Sequence, residues 1–157
     1  PYIADVGLGD GLLEARPMAF GAHHCAGFDF ALEKLDDGWL RFHNHPLGGA
    51  PYFDFRNEPA DRQHMAATCL FLSTSPESIF TQTALALRHR PGGVVSLLGR
   101  TLNHIQPGRK STQLIETADE FVAVLREHFD LDLPEAADLW PAICAKHEEL
   151  FGAQAAS

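Results

Sequence analysis

Residues able to do chemistry crowd the start of the chain. Asp5 closes the apolar run of "PYIADVGLGDG", and Gly7, Gly9 and Gly11 alternate after it. Three chemistries fit such a stretch: a phosphate-cradling nucleotide loop, a plain turn, or a carboxylate held for catalysis. A dinucleotide loop needs G-x-G-x-x-G running into a helix. Here the third glycine comes one residue early, and Pro17 interrupts before a helix of useful length can form, so the nucleotide loop fails on context. A plain turn accounts for the glycines, which let a strand bend and another backbone approach. It leaves Asp5 unexplained, because an acid in an apolar strand costs free energy unless its carboxylate is hydrogen-bonded. Asp5 needs a partner.

Histidines form the second group. His23-His24 and His43-Asn44-His45 fall in a strand-rich region, where imidazoles from neighbouring strands can ligate a metal. A cupin-like metal barrel would use such an H-x-H element, yet 46–50 carry no acid to complete the set, so surface or hydrogen-bonded histidines are the simpler reading and no metal is expected. Cys25, Cys69 and Cys144 are odd in number and lack any CxxC spacing, which points to small buried apolar residues rather than disulfides or a zinc site. "STSPESIF" reads, from its residues alone, as a serine-rich turn capped by hydroxyls, with Phe80 at the head of a strand.

The elements that must position these groups are of two kinds. "GFDFALEKLDDGWLRFHNH" alternates Phe28, Phe30 and Leu32 with polar residues, breaks at Asp36-Asp37-Gly38 and resumes at Trp39, the pattern of a β-hairpin. With "PYIADVG" before it and "PYFDFRN" after it, roughly the first 56 residues read as all-β, suited to a small barrel or a sheet. Met65, Cys69 and Leu72 then fall at helical spacing until Ser75-Pro76. From Phe80 the period returns to two, with turns at Pro91-Gly92-Gly93 and Pro107-Gly108, which predicts an antiparallel meander of about four strands. "TADEFVAVLREHF" offers Thr117 and Glu120 as a capping box, with Phe121, Val124, Leu125 and His128 on one face. Pro134 and Pro141 divide the tail into two short helical pieces. The expected class is α+β: a barrel-like portion over 1–58, a linking helix over 59–76, and an α/β lid over 77–157.

Composition bounds the partners. With 157 residues, of which 45% are hydrophobic, the chain can bury a sizeable core. Twelve basic against 21 acidic residues give a formal charge of -9, and no basic cluster extends beyond Arg109-Lys110, so nucleic acid is not an expected partner. No apolar run reaches the roughly 18 residues of a membrane span, and the expected location is cytoplasmic. The chain opens on Pro1 within a strand-like run, and a fragment of a longer protein is expected.

Three stretches, in order, resemble the arylamine N-acetyltransferases. "YIADVGLGDG" is similar to that family's aromatic-apolar-x-D-V-G-F-G element, "FLSTSPESIF" to its S-T-x-P-x-S-x-F segment, and "GRTLNHIQPGRKSTQLIETADEFVAVLREHFDLDLP" to the stretch that follows. The resemblance implies a thiol enzyme with a Cys-His-Asp triad that carries acetyl from acetyl-CoA to an arylamine or arylhydrazine, or to an N-hydroxyarylamine oxygen, in a two-step exchange. A same-family variant is an amide synthase acting on a carrier-bound acyl group. The triad aspartate maps onto Asp5. The family's nucleophile lies in an R-G-G-x-C setting that none of Cys25, Cys69 and Cys144 shows, and no histidine precedes Asp5, so one triad member of three is present. The resemblance further implies that Phe71, Ser75 and Glu77 lie against coenzyme A, and that Leu8 and Phe80 border the acceptor. Leu8 stands where the family usually has Phe, and Glu77 where smaller polar residues are common. Taken singly, Phe71 and Phe80 would be ordinary core phenylalanines. The 157-residue chain alone is expected to be inactive and to self-associate through apolar surface that a helical bundle would cover. The alternatives of a different class are a cupin-like metal-binding barrel using His43 and His45 and a non-catalytic interaction domain.

Overall fold

The computed structural model describes residues 1–7 and 9–152 of this α+β chain. Leu8 therefore lies outside the described residues. The chain divides into two units: Pro1–Pro59 with Leu87–Val94 and His104–Ser111, and Ala60–Ala86 with Val95–Asn103 and Thr112 onward.

In the first unit, β1 (Tyr2–Ile3) pairs with β2 (Arg16–Pro17), and a separate four-stranded sheet runs in the order β3 (Gly21–Cys25), β4 (Phe28–Lys34), β5 (Trp39–His43), β6 (Tyr52–Arg56). All its ladders are antiparallel. Period-two alternation in β4 buries Phe28, Phe30 and Leu32 while Asp29 and Glu33 face outward. Leu40 and Phe42 do the same in β5, and Leu32 stands opposite Phe42. The β4–β5 reversal falls at Asp36–Gly38, where Asp37 and Gly38 take φ of 56° and 79°, left-handed values that Asp and Gly tolerate. Among the described residues β3 and β6 are edges of the sheet, and no ladder closes it into a barrel. Phe28, Phe30, Phe42, Cys25, Ile3 and Leu12 form the core of this unit together with Val94 and Ile105. Burying one such phenylalanine is worth about 1.5–3 kcal/mol.

In the second unit, α1 (Arg62–Thr74) starts at Asp61, whose carboxylate accepts from the amides of Gln63 and His64, and ends at Ser75 before Pro76. None of its residues is buried. The strand expected from Phe80 starts later, because Ser78 caps a single helical turn, α2 (Ile79–Gln82), and Phe80 sits inside that turn. The meander that follows, whose Leu87–Val94 and His104–Ser111 stretches belong to the first unit, is β7 (Leu85–Arg90), β8 (Gly93–Leu98), β9 (Thr101–Gln106) and β10 (Arg109–Leu114), in the order β10-β9-β8-β7. At α3 (Ala118–Phe129) the Thr117 hydroxyl accepts from Glu120 N, while the Glu120 carboxylate reaches back to the Glu116 amide, one residue before the cap. Phe121, Val124, Leu125 and Phe129 are buried against Val95, Leu97, Leu102 and Ile115. The tail forms a 3₁₀ stretch over Pro134–Leu139 and then α4 (Trp140–Phe151), which is longer than expected because Pro141 occupies its first turn, where no backbone donor is needed. Among the described residues no helix is long and apolar enough to cross a membrane.

Candidate active site

Asp5 follows β1 and is half-buried. Its Oδ1 accepts from the Gly7 amide at 2.8 Å, a short-range turn bond that pins the carboxylate to its own loop. The glycines divide the remaining work. A side-chain carbon on Gly11 would overlap Asp5 Oδ2 and come within 3.0 Å of its Cγ, so the carboxylate can stand where it does because position 11 carries only hydrogen. A carbon on Gly7 would meet Oδ1 at 3.2 Å. The partner that Asp5 requires is therefore a backbone amide on one oxygen, with space kept for the other.

Around this carboxylate lies a pocket of about 260 Å³ whose polar side is formed by Asp5, Asp10 and Asn44 and whose apolar side includes Phe42 and Phe53. The two rings pack at 5.1 Å between centroids. Asp10 is a second acid on the same glycine turn, 5% exposed. Its Oδ1 accepts from Asn44 Nδ2 at 2.9 Å and its Oδ2 from the Gly49 amide at 2.5 Å. Sequence reasoning passed over both residues. Asp10 does carry a signal in the sequence, as an acid flanked by glycines, whereas Asn44 reads only as the spacer of H-x-H.

The histidines take separate roles. His24 Nδ1 lies 2.8 Å from Asp29, His43 Nε2 lies 2.7 Å from Glu33, and His23 Nε2 lies 2.6 Å from the Ala19 carbonyl oxygen. His45 points into the core, 2% exposed, stacked on Phe28 at 4.2 Å with Phe30 at its edge. Neither of its ring nitrogens makes a well-formed hydrogen bond among the described residues, although the Asp10 backbone lies close enough to favour the protonated ring. Burial lowers its pKa from the ordinary imidazole value; the nearby Asp10 carboxylate opposes that shift and His89 adds to it. Among the described residues no three His, Cys, Asp or Glu side chains are grouped so as to hold a metal. Of the free cysteines, Cys25 is buried, Cys144 half-buried and Cys69 exposed, so the expectation of burial fails for Cys69, which sits on the solvent-facing α1.

The remaining site residues of the sequence belong to the second unit. Phe71 on α1 is 48% exposed and Phe80 on α2 is 44% exposed, so neither is a core phenylalanine. Ser75 caps the end of α1, and its hydroxyl oxygen accepts from the Glu77 amide at 3.2 Å; Glu77 itself is exposed. Phe80, Met65, Cys69 and Leu72 line a mainly apolar hollow of about 500 Å³. Below it the Ser78 hydroxyl donates to the Leu72 carbonyl oxygen at 2.7 Å and the Thr81 hydroxyl to that of Ser75 at 2.6 Å, so "STSPESIF" is, as expected, a hydroxyl-capped turn.

A half-buried carboxylate thus stands beside a small, partly apolar pocket on an α+β scaffold. Residues 1–138 match the model of a family described as N-acetyltransferase. Solved structures agree. The arylamine N-acetyltransferase from Mycobacterium abscessus is 25% identical, with a TM-score of 0.76, over 92% of this chain and 55% of that one. That of Nocardia farcinica is 25% identical, with a TM-score of 0.75, over 88% and 52%. The Mycobacterium marinum enzyme in complex with CoA is 21% identical and shares the fold, with a TM-score of 0.78, over 93% and 54%. The chain belongs to the arylamine N-acetyltransferase family. It spans about half the length of these solved relatives. No curated protein sequence matches it.

Proposed function

We propose that this chain is the C-terminal part of an arylamine N-acetyltransferase and that Asp5 is the aspartate of its Cys-His-Asp triad. The full-length protein then moves acetyl from acetyl-CoA to an arylamine or arylhydrazine nitrogen, or to an N-hydroxyarylamine oxygen, through an acetyl-cysteine intermediate. The thiol and the imidazole come from sequence outside these 157 residues.

The observation that carries the reading is the Asp5 carboxylate: one oxygen occupied by Gly7 N, the other given room by Gly11, at the edge of a pocket with an aromatic wall. A carboxylate so held accepts a hydrogen bond from an imidazole N–H, fixes the tautomer and stabilises the imidazolium that forms when the thiol loses its proton. Phe71, Ser75 and Glu77 are assigned to the coenzyme, and the CoA complex of the M. marinum relative supports coenzyme A as co-substrate. Phe80 and Leu8 are both assigned to the acceptor. The exposure of Phe71 and Phe80 supports contact with something other than their own core.

The test is Asp5→Asn in the full-length protein. Asn keeps the shape, removes the charge and can favour the wrong tautomer, and turnover is expected to fall by about 10³–10⁴. The pH at which the thiol becomes alkylatable should rise with it. Activity within a few-fold of wild type, with an unchanged alkylation profile, returns Asp5 to a turn residue.

A further inference from the structure

The second acid of the glycine turn has no part in the triad, yet it is the more buried of the two. Asp10 reaches across 34 positions of sequence to Asn44 and 39 to Gly49. Those two residues belong to the segment between β5 and β6, which is closed on itself by Asn44 N to Pro51 O at 2.9 Å and Gly48 N to His45 O at 2.9 Å. The Asn44 side chain is the hub: its amide nitrogen donates to Asp10, and its oxygen accepts from His45 N at 2.8 Å. The segment is shaped around it, since a side-chain carbon on Gly48 would collide with the Asn44 amide. Ala50, within the segment, and Phe53, just beyond it, line the same pocket as Asp5.

We infer that Asp10 is a positioning residue that sets the acceptor wall of the pocket, by tying the 44–51 segment to the turn bearing Asp5. The inference rests on the acetyltransferase reading of that pocket. A two-step exchange separates the wall's role from the triad's. Loading of acetyl from CoA onto the enzyme thiol needs Asp5 but no acceptor, whereas transfer to the amine needs the acceptor seated against the wall. A displaced wall therefore acts on the second step, and a lost triad carboxylate on both.

The donor and acceptor pattern supplies an internal control. Asp10→Asn turns one of two accepting oxygens into a donor that meets either Asn44 Nδ2 or Gly49 N, leaving a buried donor unmatched. Asn44→Asp alone brings two carboxylates together. The double substitution restores a complementary pair, because the new amide donates to the new carboxylate while its oxygen still accepts from Gly49 N, and the carboxylate also accepts from His45 N.

The experiment measures CoA release without acceptor, kcat/KM for the acceptor amine, and hydrogen exchange at the Gly49 amide, in full-length wild type, both single variants and the double. In Asp10→Asn the acceptor kcat/KM, relative to the rate of CoA release, should fall about tenfold. Gly49 exchange should quicken, and the double variant should recover most of both. A single variant that does not fold beside a double that folds and turns over supports the pairing equally. Equal losses in both steps, or a double variant no better than the single, overturns it. A wild-type protein that releases no CoA would instead sink the acetyltransferase reading, and Gly49 exchange would still report whether the pair holds the segment.

Discussion

The pocket beside Asp5 and the hollow beside α1 are built on opposite plans. In the first, atoms are placed by what the backbone leaves no room for: Gly11 exists as a space for a carboxylate, and Asp10 and Asn44 lock two segments through a buried contact. In the second, the lining side chains are exposed, and the order lies beneath them in hydroxyl caps such as Ser78 and Thr81. Function in the first therefore tolerates almost no added volume. In the second the surface is free to vary while the caps are not.

The largest effect expected to separate the two plans is that of Gly11→Ala in the full-length protein. The added carbon forces the Asp5 carboxylate out of its position, and turnover should fall by about 10² or more, since a misplacement of roughly an ångström costs that much. The melting temperature should move little by comparison. Turnover within threefold of wild type would show that the carboxylate has slack and that the first plan is not as tight as described.

Next comes Ser78→Ala. Ser78 is 2% exposed, donates to Leu72 O and accepts from Phe80 N, so its loss removes a cap and strands a carbonyl. Urea unfolding should register a loss of about 1–2 kcal/mol. An unchanged midpoint and slope would mean that the hydroxyls do not hold the second plan together.

The smallest effect is one of pH, and here each unit carries its own probe. His45 in the first and His147 in the second are both buried, and for both the imidazole pKa is pushed down chiefly by burial; Arg100 adds to the shift at His147 and Glu148 opposes it. A histidine with a folded pKa below its unfolded value binds more protons when unfolded. Its contribution is intact above the ordinary imidazole pKa near 6.5 and is lost as pH falls from there toward the lowered folded value. His45→Phe, placing a third ring between Phe28 and Phe30, should flatten this acid arm in part and leave the share of His147. A thermal-melt series from pH 8 to pH 5 that keeps the wild-type slope would assign the arm elsewhere.

Where the sequence was legible, a few neighbouring residues decided the outcome. The Asp36-Asp37-Gly38 reversal, the end of α1 at Ser75-Pro76 and the Thr117–Glu120 cap are each set within three or four positions. The start of α1 falls at Asp61 and Arg62 rather than at Asn57-Glu58-Pro59, the start that the sequence suggests, because Asp61 supplies the cap. Asp5 was legible because an acid beside apolar residues demands an explanation. The Asp10–Asn44 bond was not, since 34 residues separate its ends and neither end breaks a local pattern. The Ser78 turn was missed because four residues are too few for a helical period to show. Exposure of Phe71 and Phe80 lay beyond reading as well, for burial depends on what packs against a side chain and not on its type.

α1 carries a consequence for the order in which the molecule comes apart. Thirteen residues are close to the limit at which a helix holds together in water, and this one has no buried residue to anchor it. Its free energy of opening then rests on the Asp61 cap at its start and on the Ser78 and Thr81 hydroxyls that donate to the carbonyls of Leu72 and Ser75 at its end. Hydrogen exchange on the isolated chain should then find the backbone amides of 62–74 opening sub-globally while the phenylalanine cores of both units stay closed. Any surface that settles on Met65, Leu70 and Phe71 adds its binding energy directly to that opening equilibrium.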